Sequence, residues 1–305
     1  MGNNTLIVIV GPTAVGKTEL CLNIARKLDS EIVSADSRQI FKEMKIGTAR
    51  PDEATLQTVK HHFIATKSIH DYYTAGMFEL EVLDLLQKRF MKKDTMILTG
   101  GSGLYIDAVC GGIDAVPRVD RETREKLTKQ YEEEGIERIR EQLKEVDPES
   151  YQNIDLKNPK RILKALEITL TAGKPYSSFL TRTKKSRPFH IRKIGLHRNR
   201  QELYDRINQR VDRMIEEGLI EEARALYPYK HLNPLNTVGY KELFEYFEGN
   251  ISREEAIRLI KRNTRRYAKR QLTWFSRDKS MVWFHPGEED QILDYIQNKL
   301  SPGSD

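Results

Sequence analysis

Residues 5–18 read Thr5-Leu6-Ile7-Val8-Ile9-Val10-Gly11-Pro12-Thr13-Ala14-Val15-Gly16-Lys17-Thr18. The apolar run 6–10 is far too short to cross a bilayer. It also lacks the basic flank and small-residue cleavage site of a signal peptide. A short β-branched run of this kind reads as a buried parallel strand. Residues 11–18 fit the pattern G-x-x-x-x-G-K-[ST], and a helix is expected from Lys17 to about Leu28, which is the context this motif needs. Its glycines let backbone N–H groups turn inward around an anion. The helix start adds the positive end of its dipole. Lys17 supplies an ammonium for phosphate oxygens, and Thr18 a hydroxyl for a magnesium ion. Gly11, Pro12, Thr13, Ala14, Val15, Gly16, Lys17 and Thr18 are therefore candidate ligands of a diphosphate or triphosphate. The motif is common in ATP-binding proteins but does not by itself mean hydrolysis. The strand at 95–99 runs into Gly100-Gly101, not into the Asp of a typical ATPase.

Outward from this loop, short apolar strands alternate with helical stretches. Ile32-Val33 is a second strand, 79–90 a helix with Leu80, Leu83 and Leu86 on one face, and 95–99 a third strand. Such alternation predicts a doubly wound parallel sheet. The pattern changes near Pro117. Residues 120–145 are charged and helical with no strand after them. Asn158-Pro159 starts another helix that Gly173 stops. A strand-like run returns at 191–196, and helices are expected at 200–217, 219–227, 239–247 and 252–276. The fold class expected is α/β: a P-loop NTPase-like parallel sheet flanked by helices, with an inserted all-helical domain and a helical C-terminal region. The core is assigned 1–116 and 195–305, the insertion 117–194. The tail 301–305 is expected to fray.

The C-terminal ends of parallel strands form the ligand crevice. Asp36, in Ser34-Ala35-Asp36-Ser37-Arg38-Gln39 after the second strand, is thus expected near the phosphates. The competing reading is a helix cap. Gly100-Gly101-Ser102-Gly103-Leu104-Tyr105 is a second Gly-rich turn at the same sheet edge. His61 and His62 lack metal-ligand spacing and read as loop structure or a channel wall.

With these pieces in place, the chain resembles the tRNA dimethylallyltransferases, or tRNA isopentenyltransferases. The matching segments are GPTAVGKT (11–18), DSRQIF (36–41), GTARP (47–51), HHF (61–63), GGSGLY (100–105), NPKRILKALEI (158–168), RINQRVDRM (206–214), TVGYKEL (237–243) and TRRYAKRQLTWF (264–275). They follow the family's order across nearly the whole chain. The family often has Thr where Ser102 stands, which keeps the hydroxyl. The Cys/His pairs of a eukaryotic C-terminal zinc finger are missing after residue 275, so the resemblance is to the bacterial form.

The resemblance implies dimethylallyl diphosphate as donor. It implies as acceptor the exocyclic amine of the adenosine 3′-adjacent to the anticodon in a tRNA. Asp36 would take the amine proton, and Lys17, Thr18 and magnesium would stabilise the departing diphosphate. Arg206 or Arg210 would add a guanidinium, with Arg206 favoured, and Ser102 would meet the leaving oxygen. Asp36, Ser37, Arg38, Gln39 and Ser102 would hold the extruded adenine and its neighbours. Arg124, Lys160, Arg161 and Lys164 of the insertion would grip the anticodon stem-loop.

Composition fits that partner. The 305 residues carry a formal charge of +6 with pI about 9.1. Residues 181–193 hold six Lys/Arg and no acid, and 251–280 hold ten Lys/Arg against three acids. Concentrated positive charge favours an RNA-facing surface, against a merely solvated helical face. Tyr267, Trp274 and Phe275 interleave with these charges, and their spacing favours core packing over base stacking. Cys21 and Cys110 form no metal or disulfide pattern, which points to a reducing cytoplasm. A monomer that does not enter the membrane is expected. Three rivals remain: a small-molecule P-loop kinase, a prenyltransferase of free adenine nucleotides, and an RNA-binding P-loop switch.

Overall fold

Thr5–Val10 is buried along its whole length and forms β1, the strand around which the others arrange themselves. The computed structural model describes residues 4–298 except Arg118 and Arg182, with Arg121 and Asn298 described by backbone alone. The tail 301–305 lies outside the described residues.

The chain divides into two compact units. One comprises residues up to Gly111 and from Ser186 onward; the other is Gly112–Lys185. The first unit contains β1, α1 (Lys17–Lys27), β2 (Glu31–Ser34), α2 (Glu53–Thr58), β3 (His61–His62), α3 (Ala75–Arg89), β4 (Thr95–Gly100) and α4 (Gly103–Gly111). The second holds α5 (Arg121–Val146), α6 (Pro148–Asn153) and α7 (Pro159–Ala172). The chain then returns to the first unit as β5 (His190–Leu196), α8 (Arg200–Glu216), α9 (Leu219–Leu226), α10 (Tyr240–Phe247), α11 (Arg253–Phe275), β6 (Val282–Phe284) and α12 (Glu289–Asn298).

Among the described residues, six strands pair in parallel, in the order β3-β2-β4-β1-β5-β6. The chain leaves β1 toward one edge, returns to lie beside it as β4, and crosses to its other side as β5. The order therefore switches at β1, and the crevice beyond the carboxyl end of β1 is where a ligand is expected.

Two sequence expectations need correction. The insertion ends earlier than 194, because β5 starts at His190 and pairs with β1 in the register Thr5↔His190 to Val10↔Gly195. The C-terminal region is also not wholly helical, since β6 pairs with β5 at the sheet edge. Three residues, all half-buried, carry too little alternation to announce a strand. In the second unit, α5 is interrupted at Gly135, whose φ is 82°. Asn158 precedes α7 without a side-chain cap bond, and Pro159 opens the helix where its missing N–H costs nothing. Leu127, Ile139, Leu143, Ile162, Ala165 and Leu166 form this unit's own core.

In the first unit a buried ion pair ties the returning chain to α3. Arg187 Nη2 lies 2.8 Å from Glu79 Oε1, with side chains only 7% and 5% exposed. Arg187 also donates to the carbonyls of Ala108 and Val109. Removing the cation takes a charge partner from a carboxylate that is almost fully buried. Arg187→Met should therefore destabilise the protein by about 3–5 kcal/mol, measured as a shift in denaturant unfolding.

Candidate active site

The phosphate loop follows β1 as the motif requires. Gly16 adopts φ 112° immediately before α1, a backbone state that side chains with a Cβ rarely enter. Lys17 folds back over the loop, donating from Nζ to the carbonyls of Gly11 (2.9 Å) and Pro12 (2.8 Å). Burial, helped by the charge of Arg210 and opposed by Asp36, pushes its ammonium down to about 8.

A cavity of about 560 Å³ opens at this loop. Thr13, Ala14, Gly16, Lys17 and Thr18 line it from the phosphate side, and Arg206 and Arg210 from α8. Asp36, Gln39 and Tyr267 reach the same space. Gly11, Pro12 and Val15 shape the loop without lining the cavity.

Asp36 is not spent on a helix start. Its Oδ1 accepts from the amides of Arg38 (2.9 Å) and Gln39 (3.2 Å), which closes a turn. Its Oδ2 makes no hydrogen bond among the described residues. Ser102 braces that turn from below, accepting from the Ser37 amide at 2.9 Å and donating to the Ser37 hydroxyl at 3.1 Å. Neither Ser37, Arg38 nor Ser102 lines the cavity. Burial pushes the half-buried Arg38 guanidinium below its ordinary value. Gln39 lines the cavity, but its amide nitrogen donates to the carbonyls of Thr48 (3.1 Å) and Ala49 (3.2 Å).

The two candidate arginines differ. Arg206 Nε donates to the Ala14 carbonyl at 2.9 Å, so one of its donors is already on the loop. Arg210 makes no hydrogen bond or ion pair among the described residues. Burial lowers its pKa and Asp36 acts against that shift.

Residues 39–278 match the profile of the IPP transferase family. The chain belongs to the IPP transferase family. It is 54% identical to tRNA dimethylallyltransferase 1 of Phocaeicola vulgatus, over 97% of this chain and 98% of that one. It is 53% identical to the protein of the same name from Bacteroides fragilis, over 98% and 100%. Its structure matches the full-length tRNA isopentenylpyrophosphate transferase of Bacillus halodurans with TM-score 0.72 and 36% identity, covering 97% of each chain.

This IPP transferase site contains contacts that motif reading did not anticipate. Gln271 of α11, buried, accepts the Thr13 amide at 2.8 Å and donates to the Gly101 carbonyl at 2.9 Å. It thereby joins the phosphate loop to the second Gly-rich turn. Arg198 Nε donates to the Val15 carbonyl at 2.6 Å, and Arg198 also pairs with Glu202. A signal for Gln271 was present. It lies between Ala268 and Phe275 on the buried face of α11, where a polar side chain needs a partner. His61 lines the cavity. Its Nδ1 is 2.7 Å from the Val59 carbonyl, so that nitrogen carries the proton. His62 instead pairs with Glu31 at 2.6 Å.

The basic tracts are less free than their composition suggests. Within 181–193, Arg187 is buried on Glu79, Lys193 pairs with Asp278, and Lys185 donates to Ile113; Arg182 lies outside the described residues. On α11, Arg258 pairs with Glu255 and Lys261 with Asp212. Arg266 and Lys269 are exposed and make no ion pair among the described residues. Phe275 is core, and Trp274 Nε1 donates to Asp107 at 3.0 Å. In the insertion, Lys160, Arg161 and Lys164 are exposed near the start of α7, while Arg124 pairs with Glu167 at 3.2 Å. Among the described residues, no group of three His, Cys, Asp or Glu could hold a metal ion. No helix among them is long and apolar enough to cross a membrane.

The lowered pKa of Lys17 has a direct consequence. Above about 8 the ammonium loses its proton and an anionic ligand loses a charge partner. Affinity for inorganic diphosphate should fall as pH rises through that value. Lys17→Arg, charged throughout, should abolish the fall in isothermal titration.

Proposed function

We propose that the protein transfers a dimethylallyl group from dimethylallyl diphosphate to the exocyclic amine of the adenosine 3′-adjacent to the anticodon in tRNA, releasing diphosphate. The observation that carries this reading is that Asp36 and the phosphate loop face one cavity. Relatives more than half identical over nearly the full chain bear the name tRNA dimethylallyltransferase. A small-molecule kinase and a free-adenylate prenyltransferase are not favoured by that similarity.

An adenine amine is a weak nucleophile. As its nitrogen bonds to the allylic carbon, the carbon–oxygen bond breaks and diphosphate departs with the electron pair. Asp36 receives the amine proton, an effect worth roughly 10²–10⁴-fold. Its Oδ1 is held by two amides, which leaves Oδ2 for the acceptor. Lys17 and the N–H groups at the start of α1 stabilise the growing charge. Arg210, which makes no hydrogen bond or ion pair among the described residues, is assigned to the diphosphate, and Arg206, anchored on Ala14, to loop and diphosphate together. Ser102, Ser37 and Arg38 act through the turn that holds Asp36 rather than by lining the cavity.

Magnesium fits this set although the described residues include no cluster of three His, Cys, Asp or Glu that could hold it. The ion keeps several waters and takes few protein ligands when substrate phosphates supply the rest. The Thr18 hydroxyl would hold it, and it would neutralise charge on the leaving diphosphate.

The acceptor base has to leave its stack, which costs a few kcal/mol and less in a loop than in a duplex. Lys160, Arg161, Lys164 and Arg124 would meet the phosphates of the anticodon stem-loop, and Arg266 and Lys269 add exposed charge on α11. The enzyme is proposed to work as a cytoplasmic monomer.

Asp36→Ala should lower turnover by about 10²-fold or more while leaving donor affinity unchanged, measured by label transfer into unmodified tRNA and by titration. Arg210→Ala should do the reverse, chiefly weakening the donor. Full turnover in Asp36→Ala would remove the acid from the mechanism.

A further inference from the structure

One carboxylate outside the reacting cluster receives four hydrogen bonds. Glu222, on α9, accepts the Lys45 amide at 3.0 Å and the Ile46 amide at 2.8 Å on Oε2. On Oε1 it accepts the Gly47 amide at 2.9 Å and the Tyr240 hydroxyl at 2.7 Å. An ionised carboxylate has about four acceptor positions, so this one is filled. Three successive amides converging on one anion form a backbone nest, here occupied by the protein's own side chain.

The nest grips a segment that reaches the cavity. Ile46 and Thr48–Asp52 all line it. The segment has no slack on its other side: a Cβ on Gly47 would lie 2.6 Å from the ring of Tyr240, which is fully buried. The carbonyls of Thr48 and Ala49 accept the Gln39 amide, and the Gln39 backbone N–H helps to hold Asp36 Oδ1. An unbroken series of short contacts thus leads from α9 through the 45–49 segment to the acid.

We propose that Glu222 is a positioning residue for the acceptor half of the reaction. It fixes the wall formed by residues 45–52 and, through Gln39, the turn that presents Asp36. The phosphate loop is held separately by Gln271, Arg198 and Arg206, so donor binding does not depend on Glu222. The proposal rests on Asp36 acting on the acceptor amine.

Glu222→Gln tests it. The substitution keeps shape but turns an NH2 group toward donors, so at least one of the three backbone amides loses its acceptor. Expected is a fall in kcat of about tenfold or more for dimethylallyl transfer to a synthetic anticodon stem-loop, with the Kd for dimethylallyl diphosphate changed by no more than about twofold. Tyr240→Phe leaves the three amide bonds in place and should keep kcat within about threefold of wild type. Wild-type kcat in Glu222→Gln, or equal losses of kcat and donor affinity, would overturn the proposal. Should Glu222→Gln not fold, hydrogen exchange in the wild-type protein reads the same contact. Slow exchange at Lys45, Ile46 and Gly47 is expected, and unprotected amides there overturn it. Asp36→Ala measured alongside separates the two claims. A dead Asp36→Ala with a normal Glu222→Gln removes only the nest, whereas an active Asp36→Ala removes the role of the acid itself.

Discussion

An ammonium and two guanidinium groups gathered against one loop repel each other, and burial makes that repulsion costly. Lys17 shows the cost, since its pKa is pushed down to about 8 by burial and by Arg210. Arg210 shows it too, lining the cavity with no protein partner among the described residues. Asp36, joined at Arg210 by Glu217, offsets only part of that charge. Such an arrangement is organised for a polyanion that the protein does not itself supply. The rest of the structure keeps these groups together: β1 delivers the loop, α8 brings the arginines, and Gln271 and Arg198 hold the loop's backbone in place.

The same cavity is lined by a second group of residues. The phosphate side is built from backbone amides and cations. Another part of its lining is a turn, braced by Ser102 on Ser37 and by Gln39 on the 48–49 carbonyls, that holds one oxygen of Asp36 and leaves the other without a hydrogen bond among the described residues. A phosphoryl-transfer enzyme could use the same cradle, so the loop alone does not select a reaction. In the proposed reaction the selection comes from Asp36, which lines the same cavity.

What was legible in the sequence followed local pattern. Residues 5–10 and 95–99 announced themselves as buried strands because every side chain is apolar or β-branched, and the loop at 11–18 is defined by its spacing. Asp36 was placed correctly near that loop because parallel strands converge at their carboxyl ends. The Asn158-Pro159 start and Gly173 stop of α7 were equally local. The contacts that hold the site were not legible, because they join residues far apart in the chain. Gln271 reaches Thr13 across 258 positions, Arg198 reaches Val15 across 183, and Glu222 reaches Ile46 across 176. Charge counts misled in a related way. They register Arg187 and Lys193 as basic but not the Glu79 and Asp278 that occupy them. The edge strand 282–284 was too short and too evenly half-buried to show a period.

The central claim is that one cavity holds the donor's diphosphate against the loop and the acceptor amine against Asp36 at the same time. A structure determined with a non-transferable thiolo analogue of dimethylallyl diphosphate and an anticodon stem-loop RNA tests it most directly. The account predicts an Asp36 carboxylate oxygen about 2.6–3.2 Å from the adenine amine, or one water away, with the diphosphate on the Lys17 side. An acceptor base bound elsewhere, or an amine more than one water from that carboxylate, would contradict it.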